Sequence, residues 1–467
     1  MIHLGKLQMI SIRRRNQTKV LEGFLRLASS QFSLCLALKI RHYSTGSDDH
    51  SKPRTGQDGK SIDIDSKSYP VDHMTNVSRS VLDRLNSNLY ERKDHPLGIL
   101  NRLIQKQLPD FEIVRYPSPI VSPHQNFDQL GFPADHPGRR RGDSYYINSN
   151  QMLRTHTSAH EIETFASGRQ KWLITADVYR RDEIDASHFP IFHQMEGARV
   201  ATTSKIEEFL TTTDSLKSHL SNQNIQIEDL TQIGPDNPYQ LKHKPEHARI
   251  VAENLKATIN SLIFGIFKDL DPAHQERSGL KIRWIPAYFP FTSPSYEVEV
   301  MYMGKWLEIL GCGVVEQKTL DEANVPEKIG WAFGLGLERI AMVLFSIPDI
   351  RLFWSNDPRF HDQFKDQRLK RFKMFSKNPA CYKDLSFWVP EGFEVNDFYE
   401  IIRAFGGSWI EEVKLIDEYV HPKSKRKSQC YRIGYRSMEK TLSNEEVNLN
   451  QVLVLDALKS QLGLEFR

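Results

Sequence analysis

Two stretches of this 467-residue chain concentrate side chains that could handle phosphate and ammonium groups. The first is Val178-Tyr179-Arg180-Arg181-Asp182, a polar turn, then Ile191-Phe192-His193-Gln194-Met195-Glu196. Strand side chains alternate faces, so Phe192, Gln194 and Glu196 share one face. Arg180 and Asp182 share a face of the partner strand. A pairing of the two strands would gather an arginine, two carboxylates, an amide and an aromatic ring. Arginine suits a phosphate because its planar fork donates two parallel charge-assisted bonds. A phenyl ring offers a stacking surface to a purine. Glutamate and glutamine can receive an ammonium group, and the turn adds His188 as a further phosphate donor.

The second stretch is Gly334-Leu335-Gly336-Leu337-Glu338-Arg339, followed by an apolar helix pattern to Phe345. A dinucleotide fingerprint would need a third small residue where Arg339 stands, so that reading fails. The glycines would instead let a helix approach a sheet closely. An arginine at a helix start is repelled by the positive helix end unless an anion is near, which points to phosphate or a carboxylate partner.

The elements that must hold these residues read as an α+β protein. Between Tyr69 and Asp357, helix patterns at Val81–Leu89, Gly98–Leu108, Arg249–Leu270 and Leu337–Phe345 alternate with strand patterns at Trp172–Arg181, Ile191–Ala201, Ser295–Met303 and Trp306–Leu310. Short loops between strands suggest an antiparallel sheet. A charged stretch, 360–372, reads as a linker. Beyond it, strands at Tyr382–Val389, Ile410–Tyr419, Ser428–Arg436 and Leu464–Phe466 interleave with helices at Val395–Phe405 and Ser443–Leu462. That β-α-β-β-α-β order is the ferredoxin-like unit. Ser443 with Glu446 forms a capping-box pattern.

Composition bounds the partners. Hydrophobic residues make up 39% and charged residues 26%, as in globular proteins with a sizeable core. The formal net charge is only +3, so nucleic-acid binding must use local patches. Two such patches stand out: His136-Pro137-Gly138-Arg139-Arg140-Arg141, either a phosphate contact or a solvated loop, and Lys423, Lys425, Arg426 and Lys427. The aromatic residues Trp409, Tyr431 and Tyr435 read as exposed stacking surfaces near the second. The four cysteines show no C-x-x-C spacing, so neither zinc nor a disulfide framework is supported, and no side chain is assigned as a metal ligand. The first 44 residues carry eight Lys and Arg against the single acid Glu22, and their apolar residues Leu21, Phe24 and Ala28 share one helical face. This is the pattern of a mitochondrial transit peptide, and Arg41-His42-Tyr43-Ser44 resembles a matrix-peptidase site. Residues 45–68 have linker composition.

The first constellation resembles motif 2 of the class II aminoacyl-tRNA synthetases, and the second resembles motif 3. Thr157-Ser158-Ala159-His160, Phe192-His193-Gln194-Met195-Glu196-Gly197, Phe289-Pro290-Phe291 and Trp306 to Gly313 narrow the resemblance to the phenylalanyl-tRNA synthetases. It covers nearly everything after Tyr69. The resemblance implies a class II antiparallel-sheet catalytic domain at 69–359 and a ferredoxin-like anticodon-binding domain at 373–467. Both on one chain match the family's mitochondrial form, a monomer of the matrix.

By this resemblance Arg180 holds the α-phosphate, Phe192 and Arg339 sandwich adenine, His188 reaches the outer phosphates, and Asp182 stands where motif 2 usually has glutamate. Gln194 and Glu196 take the amino group of phenylalanine, helped by His156 and Ser158. Phe289 and Phe291, alternating onto one strand face, hold the substrate ring. Glu308 and Phe333 border the pocket, and Thr157, Ala159, His160, Glu161, Ser187, Phe189 and Met195 complete its expected lining. Lys423, Lys425, Arg426 and Lys427 are expected tRNA contacts. A glutamate that bacterial members carry just after Phe-Pro-Phe is Ser293 here, so Mg2+ is expected to arrive with ATP. The implied partners are ATP, L-phenylalanine and tRNA(Phe), with no membrane. A non-catalytic RNA-binding protein on the same fold should have lost its phosphate arginines, and Arg180 and Arg339 both remain.

Overall fold

The computed structural model describes residues 60–268, 279–375 and 378–467. The expected transit peptide with its peptidase site, and the linker up to residue 59, lie outside the described residues.

An eight-stranded sheet positions everything that follows. Its order is Glu112–Val114, Lys171–Tyr179, Ile191–Thr202, Lys328–Gly336, Lys305–Val315, Thr292–Tyr302, Leu280–Phe289 and Ile225–Asp229. The inner pairs are antiparallel, and only the two edge strands run parallel to their neighbours. The long helix Pro245–Phe267 starts with proline at its first position, where a missing N–H costs nothing, and packs against the sheet. Its Asn254 and Asn260 side chains accept the indole N–H groups of Trp331 and Trp284, both at 2.9 Å, so the buried indoles are satisfied. This helix is long and apolar enough to cross a membrane, and 78% of its most apolar window is buried inside the protein.

The tail forms a four-stranded antiparallel sheet in the order Ile410–Val420, Lys427–Tyr435, Cys381–Trp388 and Glu465–Phe466. Helices Val395–Gly406 and Asn444–Leu462 pack together beside it, the latter opened by the Ser443–Glu446 capping box. The ferredoxin-like order is therefore present.

Three local readings need correction. The linker composition assigned to 45–68 gives way at Ser61, where Ser61–Ile64 pairs with Lys67–Pro70 across a two-residue turn. Asp65 and Ser66 both take positive φ there, as hairpin turns of this kind require, and Ile62 and Ile64 bury against Val77, Tyr145 and Tyr179. The charged stretch 360–372 is not a free connector, because Phe360, Phe364 and Phe372 insert into the main core. The helix expected over Val81–Leu89 shrinks to Arg79–Leu82, since Asn86 and Asn88 adopt left-handed backbone.

Candidate active site

The Lys171–Tyr179 and Ile191–Thr202 strands pair with Val178 opposite Phe192, Ala176 opposite Gln194 and Ile174 opposite Glu196. On the other side Gln194 faces Gly336, and Glu196 faces Gly334. The shared face of Phe192, Gln194 and Glu196 opens into a cavity of about 400 Å³ that Arg180, Phe289 and Arg339 also line. Glycine leaves room for side chains beside it. A Cβ at Gly311 would lie 2.6 Å from the Phe289 ring, and one at Gly334 would lie 2.9 Å from the Gln194 amide nitrogen.

At one end stands a buried carboxylate. Glu196 Oε2 accepts from the Thr157 hydroxyl at 2.8 Å and the Ser158 hydroxyl at 2.7 Å. Its Oε1 has no hydrogen-bond partner among the described residues. Burial pushes its pKa up to about 7, with the two hydroxyls pulling the other way. The rings of Phe289 and Phe291 stack at 6.0 Å, Phe132 lies 5.9 Å from Phe291, and His156 stacks 5.6 Å from Phe132. Burial, and then the Arg180 charge, lower the His156 pKa to about 3, so the ring is neutral.

The other end is cationic. Arg180 anchors its Nε to the Thr155 carbonyl at 2.9 Å, and its guanidinium lies 5.1 Å over the Phe192 ring. Arg339 pairs with Glu308 at 3.1 Å. His188 hydrogen-bonds Asp185 at 2.8 Å. Burial works against its charge, but that bond and the carboxylates of Asp182, Asp185 and Glu183 outweigh it and raise its pKa. A cleft with a buried anion beside an aromatic slot, and arginines at the far end, can seat an amino acid's ammonium and side chain while phosphate lies against the guanidinium groups.

The cleft also receives Ser158, Glu161, Asp182, Ser187, His188, Phe189, Glu308 and Phe333 from the expected set. It does not receive five others. Met195 is fully buried on the opposite strand face from Gln194, as alternation dictates. His160 stacks on Tyr116 at 4.1 Å and hydrogen-bonds Glu163. Ala159 packs in a small core with Phe127 and Met152. Thr157 and His156 stand behind the lining, Thr157 as the donor to Glu196. Phe289 and Phe291 meet for a different reason than strand alternation: the strand ends at Phe289, and the turn at Pro290 brings the second ring round.

In the tail, Tyr431 and Tyr435 are buried under the two helices and Trp409 is half-buried, so they do not form the exposed stacking surface expected. Of the basic run, Lys423 and Lys425 are exposed, while Arg426 pairs with Glu465 and Lys427 with Glu418. In the other basic patch Arg139 is held by Asp128 at 2.7 Å, and Arg140 and Arg141 remain exposed.

Sequence reasoning missed the groups that brace the site. His193 lies fully buried between Asp177 and Glu338. Phe132 and Glu297 were also unassigned, and only their neighbours in space mark them.

The family described as tRNA synthetases class II core domain (F) matches residues 84–232 and 248–364, and the ferredoxin-fold anticodon binding domain matches residues 376–467. A mitochondrial phenylalanine–tRNA ligase from Mus musculus is 43% identical, covering 88% of this chain and 90% of its own length. This chain belongs to the mitochondrial phenylalanine–tRNA ligase family. The Saccharomyces cerevisiae mitochondrial member is 42% identical over 87% of this chain and 95% of its own. The chloroplastic/mitochondrial member from Arabidopsis thaliana is 41% identical over 85% and 83% respectively. Both class II core segments fall on the eight-stranded sheet and its helices, and the anticodon-binding match falls on the four-stranded tail.

Proposed function

We propose that this chain is the phenylalanine–tRNA ligase of mitochondrial translation, acting as a monomer in the matrix on ATP, L-phenylalanine and tRNA(Phe). The observation that carries this reading is a single cleft lined by Glu196, the stacked Phe289 and Phe291, Arg180 and Arg339.

The reaction has two steps. The phenylalanine carboxylate attacks the α-phosphorus of ATP, giving phenylalanyl-adenylate and releasing pyrophosphate. A hydroxyl of the terminal tRNA ribose, the 2′ one in this family, then attacks the acyl carbon and AMP leaves. No protein nucleophile is needed. Glu196 and Gln194 orient the amino group, and the neutral His156 behind Phe132 adds no competing charge. Arg180 takes the α-phosphate charge as it builds, while Phe192 and Arg339 hold adenine. Positioning and charge stabilisation supply the catalysis.

Magnesium enters this reading with ATP. Glu297 and Glu308 both line the cleft. Burial, and then the Glu308 and Glu299 carboxylates, raise the Glu297 pKa, and carboxylate oxygens are the donor type that a hard divalent cation takes. When bound, such an ion would neutralise phosphate charge. The tail is assigned to the anticodon, with Lys423, Lys425, Arg426 and Lys427 as backbone contacts.

Charging of a tRNA(Phe) transcript with labelled phenylalanine tests the reading. ATP-dependent, acid-precipitable label is the expected result. No label from folded protein would refute it.

A further inference from the structure

The turn that carries the second ring of the aromatic slot is held by a segment distant in sequence. After Phe291 the chain enters the strand Thr292–Tyr302, but its register against Lys305–Val315 slips between Thr292 and Ser295. Where a ladder is interrupted, buried backbone groups need other partners. Asn237 is buried; its amide nitrogen donates to the Ser295 carbonyl at 2.9 Å, and its amide oxygen accepts from the Ser295 N–H at 2.8 Å. Gln240 donates to the carbonyls of Ser293 and Val315 at 2.9 and 3.0 Å and accepts from the Gln317 N–H at 2.7 Å. Val315 and Gln317 flank Glu316, whose own N–H donates to the Phe291 carbonyl at 2.9 Å. Amide side chains carry donor and acceptor together, so they stand in for strand bonds around Phe291.

We propose that Asn237 and Gln240 are positioning residues for phenylalanine: through the Phe291–Ser295 turn they set the Phe289–Phe291 slot that grips the substrate ring. The inference rests on phenylalanine being the substrate. Both stand behind the cleft lining rather than in it, so they act through the backbone alone. Residues 233–247 lie between the two stretches that the class II core family matches, so these bonds are additional to that core. Ser293 completes the attachment by donating its hydroxyl to the Pro238 carbonyl at 2.7 Å. An ionised carboxylate at position 293 could only accept, so a serine there suits this segment. Slack in the turn would loosen the two rings, now 6.0 Å apart, while Arg180 and Arg339 sit on other elements and keep their places.

The test measures amino-acid-dependent ATP–pyrophosphate exchange by Asn237→Ala and Gln240→Ala, each first checked for folding by circular dichroism. Asp236→Ala, at an exposed position of the same segment, is the control and should match wild type. In both amide variants the phenylalanine KM should rise about 10- to 100-fold, because a misplacement of about 1 Å caused far from the chemistry can cost about 100-fold. The ATP KM should hold. The ratio of kcat/KM for phenylalanine over tyrosine should fall several-fold, since a loosened slot excludes the added hydroxyl less well. A loss of stability alone would leave that ratio untouched in the folded protein. Should Asn237→Ala fail to fold, the half-buried Gln240→Ala decides the matter, with Gln240→Glu, which keeps only the acceptor for Gln317, beside it. A folded variant with an unchanged phenylalanine KM, an unchanged ratio, or equal rises in both KM values would overturn the proposal. Absence of exchange by wild type would instead refute phenylalanine activation itself, and this inference with it.

Discussion

His193 and Glu338 share a buried contact of 2.5 Å between imidazole Nδ1 and carboxylate Oε1, and the His193 backbone N–H donates to the same carboxylate at 2.9 Å. Asp177 closes the other side of the ring at 3.2 Å. This triad ties the strand of Phe192 and Gln194 to the helix whose next residue is Arg339. The proposed adenine and amino-group contacts would thereby be set from one buried point.

Glu338→Ala should therefore lower stability and loosen the nucleotide site together. Removing one partner of a buried charged pair costs about 3–5 kcal/mol. Chemical denaturation should show that loss, and the ATP KM should rise more than the phenylalanine KM. An unchanged ATP KM in a destabilised variant would show that the triad braces the fold without placing Arg339.

The same triad gives a pH signature. Burial alone would lower the His193 pKa, but the Glu338 and Asp177 charges raise it from 6.5 to about 10. The folded state thus holds this proton more tightly than the unfolded chain. Its contribution is complete below the unfolded value and is lost as pH rises towards the folded one. The urea midpoint should fall between pH 7 and 9.5. His193→Asn should be less stable at pH 7 and should show a flatter profile over that range. An identical slope in the variant would place the titration elsewhere.

Glu196 titrates in the opposite functional sense. Its pKa of about 7 means that the free site gains its negative charge as pH rises through neutrality. The phenylalanine KM should therefore fall from pH 6 to pH 8, with the ATP KM unmoved. Glu196→Gln should remove that dependence and weaken phenylalanine binding by about 2–5 kcal/mol, since a charged partner of a buried ammonium is lost. A variant whose ATP KM rises while its phenylalanine KM holds would reverse the assignment of this strand face.

Strand periodicity made the essential face legible. Residues 192, 194 and 196 had to point one way once the segment was a strand, and the same period puts His193 and Met195 inward. What lay beyond it depended on contacts between distant residues. His193 and Glu338 are 145 positions apart, and nothing local announces their pairing. The tail aromatics failed for a related reason. Tyr431 and Tyr435 alternate correctly, but the sequence does not say which sheet face the helices cover. The Phe289–Phe291 pair was legible as a pair, while its cause, a turn rather than a strand, was not.

The tail is bonded to the motif 2 turn. Asp397 pairs with Arg181 at 2.7 Å, Arg403 donates to the Asp182 carbonyl at 2.8 Å, and the Val413 N–H donates to the Ile184 carbonyl at 3.0 Å. Buried Glu400 accepts from the Ser78 and Tyr145 hydroxyls at 2.5 and 2.8 Å. A protein ending at Lys373, if folded by circular dichroism, should keep phenylalanine-dependent exchange with a raised ATP KM and should charge tRNA poorly. Full charging would remove the tail from anticodon recognition, and an unchanged ATP KM would show that these bonds do not steady the turn.

The most direct measurement is ATP–pyrophosphate exchange with each of the twenty amino acids in turn, using the full chain. Phenylalanine should give the highest kcat/KM, and tyrosine should follow at about a hundredfold lower, the usual discrimination by an apolar slot against an added hydroxyl. A higher kcat/KM for any other amino acid, or no exchange with any of them, would contradict the assignment of Glu196, Phe289 and Phe291 to a phenylalanine-activating site.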